Sequence, residues 1–438
     1  MAKEEALREV GVPKDLVRAI MAAETKWIFD PLEGIIEAPT IQLDGSILDK
    51  PGYDRATGLY YDPRNMPTVR PFAEKPTPGD AVASLAVIDD LLNEFAFADD
   101  EGAAEGESKS AAIAAILAAG IRRVLPMCPA FLIDAPGQSN GKTLLADLIA
   151  TIWTGRGAGA TQWASDSAEQ RKVITSILVA GDLVVNFDNV TAAIGGPAIC
   201  GVMTAQEHFK DRLLGSTKML DLPTCVVWIF TGNNMTVRDD MATRVLRIRL
   251  DARCERPDLR TFKRKDLLGY VREQRGALVH AALTILRAYI AAGKPMVSIS
   301  GQAFEVSGRF NEFSYLVAAT LVWLDRPDPL ASQQAVVADD PVRDARQTIM
   351  REWEAAYGFD EWITAKRLKD DNGNEVSKAL DDIEIGGSSP NAIASKLKTF
   401  ENVIIEGSKL VRRPAKSNKP TAWRLVRAGD VDPLADLM

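Results

Sequence analysis

Residues 136–143 read PGQSNGKT, and they stand where an apolar run, AFLIDA, gives way to a helical one, TLLADLIATIW. A strand, a glycine-bearing turn and a helix in that order can cradle phosphate, because glycines let backbone N–H groups converge on phosphate oxygens and the helix N-terminus adds positive potential. In such a cradle Pro136, Gly137, Gln138, Ser139, Asn140 and Gly141 form the loop and Lys142 reaches the terminal phosphates. The Thr143 hydroxyl is then offered to Mg²⁺, so binding of ATP with magnesium is the chemistry expected. The match to G-x-x-x-x-G-K-[ST] is imperfect: Pro136 holds the first glycine position and Gly137 falls one residue late. Taken alone, the GKT triplet also reads as a turn followed by an exposed lysine.

Three later positions extend this chemistry. Asp188 ends the apolar run DLVVNFDNV, where an acid would hold the water shell of Mg²⁺; the alternative is a turn aspartate followed by Asn189. Asn233 and Asn234 close CVVWIFTGNN, at the strand end where open α/β sheets bind ligands. One of these amides could orient an attacking water and sense the terminal phosphate, or the pair forms a plain turn. Arg244 begins RVLRIRL, where the nucleotide of a neighbouring subunit could be reached. In that strand Arg247 and Arg249 alternate with Leu246, Ile248 and Leu250, which assigns the two arginines to a solvated face.

These groups need a sheet to position them. From Met127 to about Lys294 short apolar strands alternate with helical stretches, the pattern of a mostly parallel sheet covered on both faces. Ahead of it, AVASLAVIDDLLNEFAF and AAIAAILAAGIRRVL read as helices separated by DDEGAAEGESKS, an expected exposed loop. Four regions follow: an N-terminal accessory α+β region at 1–78, the ATPase core with its preceding helices at 79–293, a helical segment and linker at 294–345, and a compact tail at 346–438. The linker reading rests on the Pro and Asp content of DRPDPLASQQAVVADDP. In the tail, SSPNAIASKLKTF reads as a helix capped by Ser388, Ser389 or Asn391, and NVIIEGSKLVRRP and TAWRLVR as paired strands around a basic turn, together a winged-helix pattern.

Composition narrows the classes. With 438 residues the chain exceeds a single core, and 46% apolar with 26% charged residues is ordinary for a globular protein. No apolar run reaches eighteen residues and the first residues, MAKEEALREV, are polar and acidic, so neither a membrane span nor export is expected and the cytoplasm is the expected location. Four scattered cysteines and two histidines, His208 and His280, offer no disulfide framework, zinc site or Ser/His/Asp arrangement. The formal charge of −8 conceals a basic tail: between Lys396 and Arg427 nine basic residues stand against two acidic ones. Lys396, Lys398, Arg412, Arg413 and Lys416 are the candidate DNA-binding residues there.

PGQSNGKT, FDNV, TGNN and MATRVLRIRL together resemble the superfamily 3 type AAA+ helicase modules of phage and plasmid primase-helicases, including the poxvirus-like group. The similarity runs from about residue 30, where APTIQLDGSILDKPGYDRATGLYYD is like the segment preceding the ATPase in that family. The resemblance implies a P-loop AAA+ core with an accessory region before it and a winged helix after it. It also implies a ring, usually a hexamer, with ATP between subunits and DNA in the central channel.

Carried over, Lys142 and Thr143 match Walker A, Asp188 Walker B, Asn233 sensor 1 and Arg244 the trans-acting arginine finger. RLLGSTKMLDLP resembles the channel hairpin, which would put Lys218 on phosphate; the alternative is a surface lysine in a tight turn. Where many relatives carry a second Walker B acid this chain has Asn189. Glu169 is a substitute for the missing base, although Asp166 to Glu169 also has capping-box-like spacing. No primase site is visible, so priming is not assigned to this chain, and a primase or polymerase is a candidate partner.

The leading expectation is an ATP-dependent ring helicase acting on single-stranded or forked DNA in a phage or mobile-element replication system. The alternatives are a loader, initiator or remodelling motor that does not unwind, and a non-enzymatic winged-helix regulator.

Overall fold

The computed structural model describes residues 12–22, 30–206, 208–213, 215–299, 302–304, 308–359, 361–371, 375–381, 389–413 and 420–429. Its centre is a sheet of five parallel strands: β1 (Ala130–Ala135), β2 (Ala160–Thr161), β3 (Val184–Val190), β4 (Val227–Asn233) and β5 (Val245–Arg249), in the spatial order β5-β1-β4-β3-β2. The apolar runs read as strands because a parallel sheet is covered on both faces. Along β4 the side chains alternate between two cores: Val227 and Ile229 join Phe131 and Ile133 in one, Trp228 and Phe230 join Leu132 and Phe187 in the other.

The first core is closed by α1 (Pro78–Leu92), α2 (Glu107–Ile121), α3 (Lys142–Thr154) and α6 (Leu267–Ala291), the second by α4 (Ser167–Ala180) and α5 (Pro197–Thr204). α1 starts with a reciprocal capping box between Thr77 and Asp80, with Pro78 at its first position. α2 and α3 pack tightly because Gly120 has no side chain: a Cβ there would stand 2.3 Å from the Trp153 ring, whose Nε1 donates to Ile116 O at 2.8 Å. Between β3 and β4 the chain makes an antiparallel hairpin of His208–Arg212 with Met219–Pro223. Buried Asp211 in that hairpin accepts from Arg171 Nε at 2.8 Å and from Thr175 Oγ1, docking it on α4.

The structure corrects three readings. ESKS lies inside α2 rather than in an exposed loop, since Asp99 accepts from Gly106 N and Ser108 N and starts the helix there. The supposed linker contains a helix, α7 (Ser332–Ala338), that packs on β5 with Val336 only 1% exposed. Arg247 and Arg249 do not decorate a solvated face. The outer edge of β5 is covered by the segment around Ala98, whose N–H donates to Arg249 O at 3.0 Å. Arg247, 4% exposed, pairs with Asp339 at 2.6 Å and Asp100 at 3.3 Å, and Arg249 with Asp100 at 3.5 Å and Asp134 at 3.8 Å. Acids on three other segments make it possible to bury cations that alternation alone would assign to water.

At the N-terminal side, Gly34–Ile36, Leu59–Tyr61 and Gly52–Asp54 form a small sheet. The tail has α8 (Pro341–Tyr357), β6 (Ile363–Thr364), α9 (Ala365–Asp370), α10 (Glu375–Asp381), α11 (Pro390–Lys398), β7 (Ser408–Arg413) and β8 (Ala422–Arg427) around its own core of Trp353, Leu368, Leu397, Phe400 and Trp423. Its three strands run in the order β6-β8-β7, all antiparallel. Of the three candidate caps, Ser389 caps α11 through Ala392 N. No helix among the described residues is long and apolar enough to cross a membrane.

Candidate nucleotide site

β1 ends in the loop 136–141, and α3 begins at Lys142. Ser139 (φ 62°) and Gly141 (φ 89°) are left-handed, which folds the loop back over the helix start. No side chain caps α3, so its first N–H groups and positive end face the loop, the condition for anion binding. Asn140 fixes the loop's shape: Nδ2 donates to Gly137 O at 3.1 Å and Gln138 O at 3.2 Å, while Oδ1 accepts from Ala252 N at 3.0 Å. In the motif this residue counts only as a spacer, and nothing in the sequence connects it to Ala252.

The ends of β1, β4 and β3 are neighbours, and this brings the remaining groups together. Lys142 Nζ donates to Gly137 O at 2.8 Å and to Asn233 Oδ1 at 2.7 Å. Thr143 Oγ1 donates to Asp188 Oδ1 at 2.8 Å, and Thr231 Oγ1 donates to the same oxygen at 2.6 Å. Burial draws the Lys142 ammonium below its ordinary value, against the charges of Asp134 and Asp188. Asp134, 2% exposed on β1, is pushed up by burial while accepting from Met235 N at 3.1 Å. The hydroxyl of Thr143 and the carboxylate of Asp188 fit a hard cation that keeps most of its waters, and Lys142 with the uncapped helix start fits phosphate.

Asn189 (φ 53°) sits in the bulge where β3 slips against β4, and Asn234 (φ 46°) follows the end of β4. Asparagine tolerates this left-handed geometry, and Asn234 N donates to Ala135 O at 3.1 Å where β1 runs into the loop. Asn189, the residue that follows Asp188 where a second acid would stand, is exposed. Glu169 is exposed and pairs with Lys172 at 2.5 Å, and Asp166 caps α4 by accepting from Ala168 N and Glu169 N at 3.0 Å each. Asp147, one turn along α3 from Thr143, belongs to no motif in the sequence. Burial raises its carboxyl, two backbone N–H groups oppose that, and the Asp188 charge adds to the rise.

Beside the loop opens a cavity of about 350 Å³ lined by Phe95, Ser139, Asn140, Gly141, Leu144 and Phe262, among others. Its wall combines apolar rings with loop backbone, and residues as distant in sequence as Phe95 and Phe262 gave no signal of it.

Other candidates stand elsewhere. Arg244 does not project from the strand start: its side chain is 6% exposed and NH1 donates to Asp240 O at 2.7 Å within its own turn, with the Asp240 carboxylate at 3.3 Å. Lys218 is exposed next to the hairpin turn, its backbone closed by Leu213 N donating to Lys218 O at 2.9 Å. Lys396 does not fit the expectation of a DNA-binding side chain, because it is 2% exposed and Nζ donates to Leu380 O at 2.6 Å. Lys398 is exposed, Arg412 pairs with Glu401 at 2.9 Å, and Arg413 lies 4.8 Å from the centre of the Trp362 ring. Lys416 lies outside the described residues.

No family model and no curated protein sequence matches this chain. Similar solved structures include the apo C-terminal region of NrS-1, at 11% identity and a TM-score of 0.37, covering 94% of this chain and 90% of that one. A second apo structure of that region, spanning 305–718, is 13% identical with a TM-score of 0.37, covering 82% of this chain and 77% of that one. A JCV helicase with a bound thiazolopyridine compound is 17% identical with a TM-score of 0.23, covering 48% and 61%. Likeness at this level decides nothing about chemistry, which rests on the site itself.

Proposed function

We propose that this chain binds and hydrolyses ATP with Mg²⁺ at the loop 136–143 and uses that hydrolysis to move along DNA as a ring-forming helicase of a phage or mobile-element replication system. The observation that carries the nucleotide reading is the convergence of Lys142, Thr143, Asp188 and Asn233 where three parallel strands end above an uncapped helix. In this reading Lys142 leaves Gly137 O and Asn233 Oδ1 to take the terminal phosphates, and the freed Asn233 amide positions a water. Bound Mg²⁺ would neutralise charge on the phosphates, while Thr143 and Asp188 hold it in place. Asp188 is itself oriented by Thr231. The cavity of Phe95, Leu144 and Phe262 would take the nucleoside.

The DNA and ring assignments rest on the motif resemblance, with an exposed Lys218 beside the hairpin turn and a winged-helix reading of the tail in support. Strand displacement on a forked duplex with ATP and Mg²⁺ tests the proposal. Displacement that disappears in Lys142→Ala is the expected result. DNA-stimulated ATPase without displacement would turn the reading to a loader, initiator or remodelling motor.

A further inference from the structure

The turn that follows β4 is tied to β1 at two points. Beside the bond from Asn234 N to Ala135 O, Met235 N donates to Asp134 Oδ1 at 3.1 Å. In the register of the sheet Asp134 stands between Gly232 of β4 and Arg249 of β5. Gly232 makes the fold-back possible: a Cβ there would stand 2.5 Å from the Met235 side chain and 2.6 Å from Val190 O, and would push the Met235 N–H away from the carboxylate. Asn233, the residue that meets Lys142, lies between Gly232 and the two anchored N–H groups. We propose that Asp134 is a positioning residue of the nucleotide site, fixing the Asn233 amide through the N–H of Met235.

Packing alone gives no reason for an acid here. Along β1 the other side chains turned to the same core are Ala130 and Leu132, and Asp134 is as buried as they are. A charge in that place loses its hydration, and the chain sets half-buried Arg249 3.8 Å from Asp134 Oδ2 to offset the loss. An apolar residue would fill the space without that pair. What it would lack is an acceptor for the Met235 N–H, which a carboxylate holds by a charge-assisted hydrogen bond. The acceptor matters most when nucleotide is bound. In the proposed function phosphate takes Lys142 away from Asn233, and the amide then depends on its own backbone for its position. A displacement of about 1 Å at such a group can lower a rate by ~10²-fold. The charge of Asp134 also acts on Lys142, a role that would show in ATP affinity instead of kcat.

This inference rests on the proposed nucleotide site. It is tested on the full chain by steady-state ATP hydrolysis beside equilibrium binding of a fluorescent ATP analogue, with thermal melting to show which variants fold. Asp134→Ala removes acceptor and charge, Asp134→Asn keeps an acceptor without the charge, and Asp134→Glu keeps the charge but shifts the acceptor by one methylene. In the Ala and Glu variants kcat should fall on the order of tenfold with affinity held within about twofold, and Asn should restore most of the loss. Asp134→Ala/Asn233→Ala should be no slower than Asn233→Ala, because a residue acting through Asn233 then has nothing to position. Unchanged kcat in Asp134→Ala, a Glu variant faster than Asn, or losses that multiply in the double variant overturn the proposal. Where Ala and Glu do not fold, a folded Asn variant as slow as Asn233→Ala overturns it as well. Wild-type hydrolysis in Asn233→Ala removes the role of Asn233 and that of Asp134 together, whereas a slow Asn233→Ala beside an unaffected Asp134→Ala removes Asp134 alone.

Discussion

Lys142 Nζ donates to Asn233 Oδ1 across 2.7 Å, joining the start of α3 to the end of β4 over 91 positions of sequence. In the proposed function the terminal phosphate competes with the Asn233 amide for the Lys142 ammonium, so nucleotide binding would separate the two groups. Lys142→Ala is therefore expected to weaken ATP binding at least about tenfold, since it removes a charge-assisted hydrogen bond to phosphate. Asn233→Ala should spare binding and lower kcat on the order of 10²-fold. Equilibrium binding of a fluorescent ATP analogue beside steady-state hydrolysis separates the two, and equal loss of affinity in both variants would deny Asn233 a part in catalysis.

Asp188 takes hydroxyl hydrogen bonds from Thr143 and Thr231 on one oxygen, leaving its other oxygen for the water shell of a cation. Asp188→Asn should remove the magnesium dependence of nucleotide binding while lowering hydrolysis by about 10²-fold or more. Titrating Mg²⁺ against ATP affinity reads this directly; an Asn variant with the wild-type Mg²⁺ response would place the metal elsewhere.

Arg244 is held within its own turn by Asp240, so its removal should act on the fold. Arg244→Ala is expected to cost roughly 1–3 kcal/mol of stability, measured by denaturant unfolding. Mixed with Lys142→Ala at any ratio, it should recover no ATPase. Recovery in the mixture would show that the guanidinium leaves Asp240 to serve a neighbour's nucleotide and would restore the trans role.

Glu107, buried at the start of α2, has its carboxyl pushed up to about 7, chiefly by burial and further by Asp99, Asp100 and Asp328. A carboxyl raised in the fold above its unfolded value binds its proton more tightly when folded. Its contribution to stability is therefore complete below about pH 4.5 and is lost as pH rises through about 7. Glu107→Gln should raise the melting temperature above neutral pH, with the advantage shrinking as pH falls towards 4.5. A pH-independent difference between variant and wild type would mean that Glu107 keeps one charge state throughout.

The chain's local text determined a good part of this. AFLIDA, DLVVNFDNV and CVVWIFTGNN are apolar because both faces of a parallel sheet are covered, so the strands and the loop between β1 and α3 were legible from spacing alone. A cap among Ser388, Ser389 and Asn391 and the paired basic strands of the tail were legible because turn and capping chemistry is local, and the structure assigns the cap to Ser389. What spacing could not give is strand order, which is set by how the crossovers pack. Only that order puts β4 between β1 and β3 and so sets Asn233 beside Lys142, with Asp188 reaching Thr143. Burial of charge was hidden for a similar reason. Arg247 looked solvated until Asp100 and Asp339 arrived from distant segments, and Lys396 until the Leu380 carbonyl did. Whether a cation faces water depends on partners that only the tertiary structure supplies, because an ion leaves water only where other groups replace its solvation.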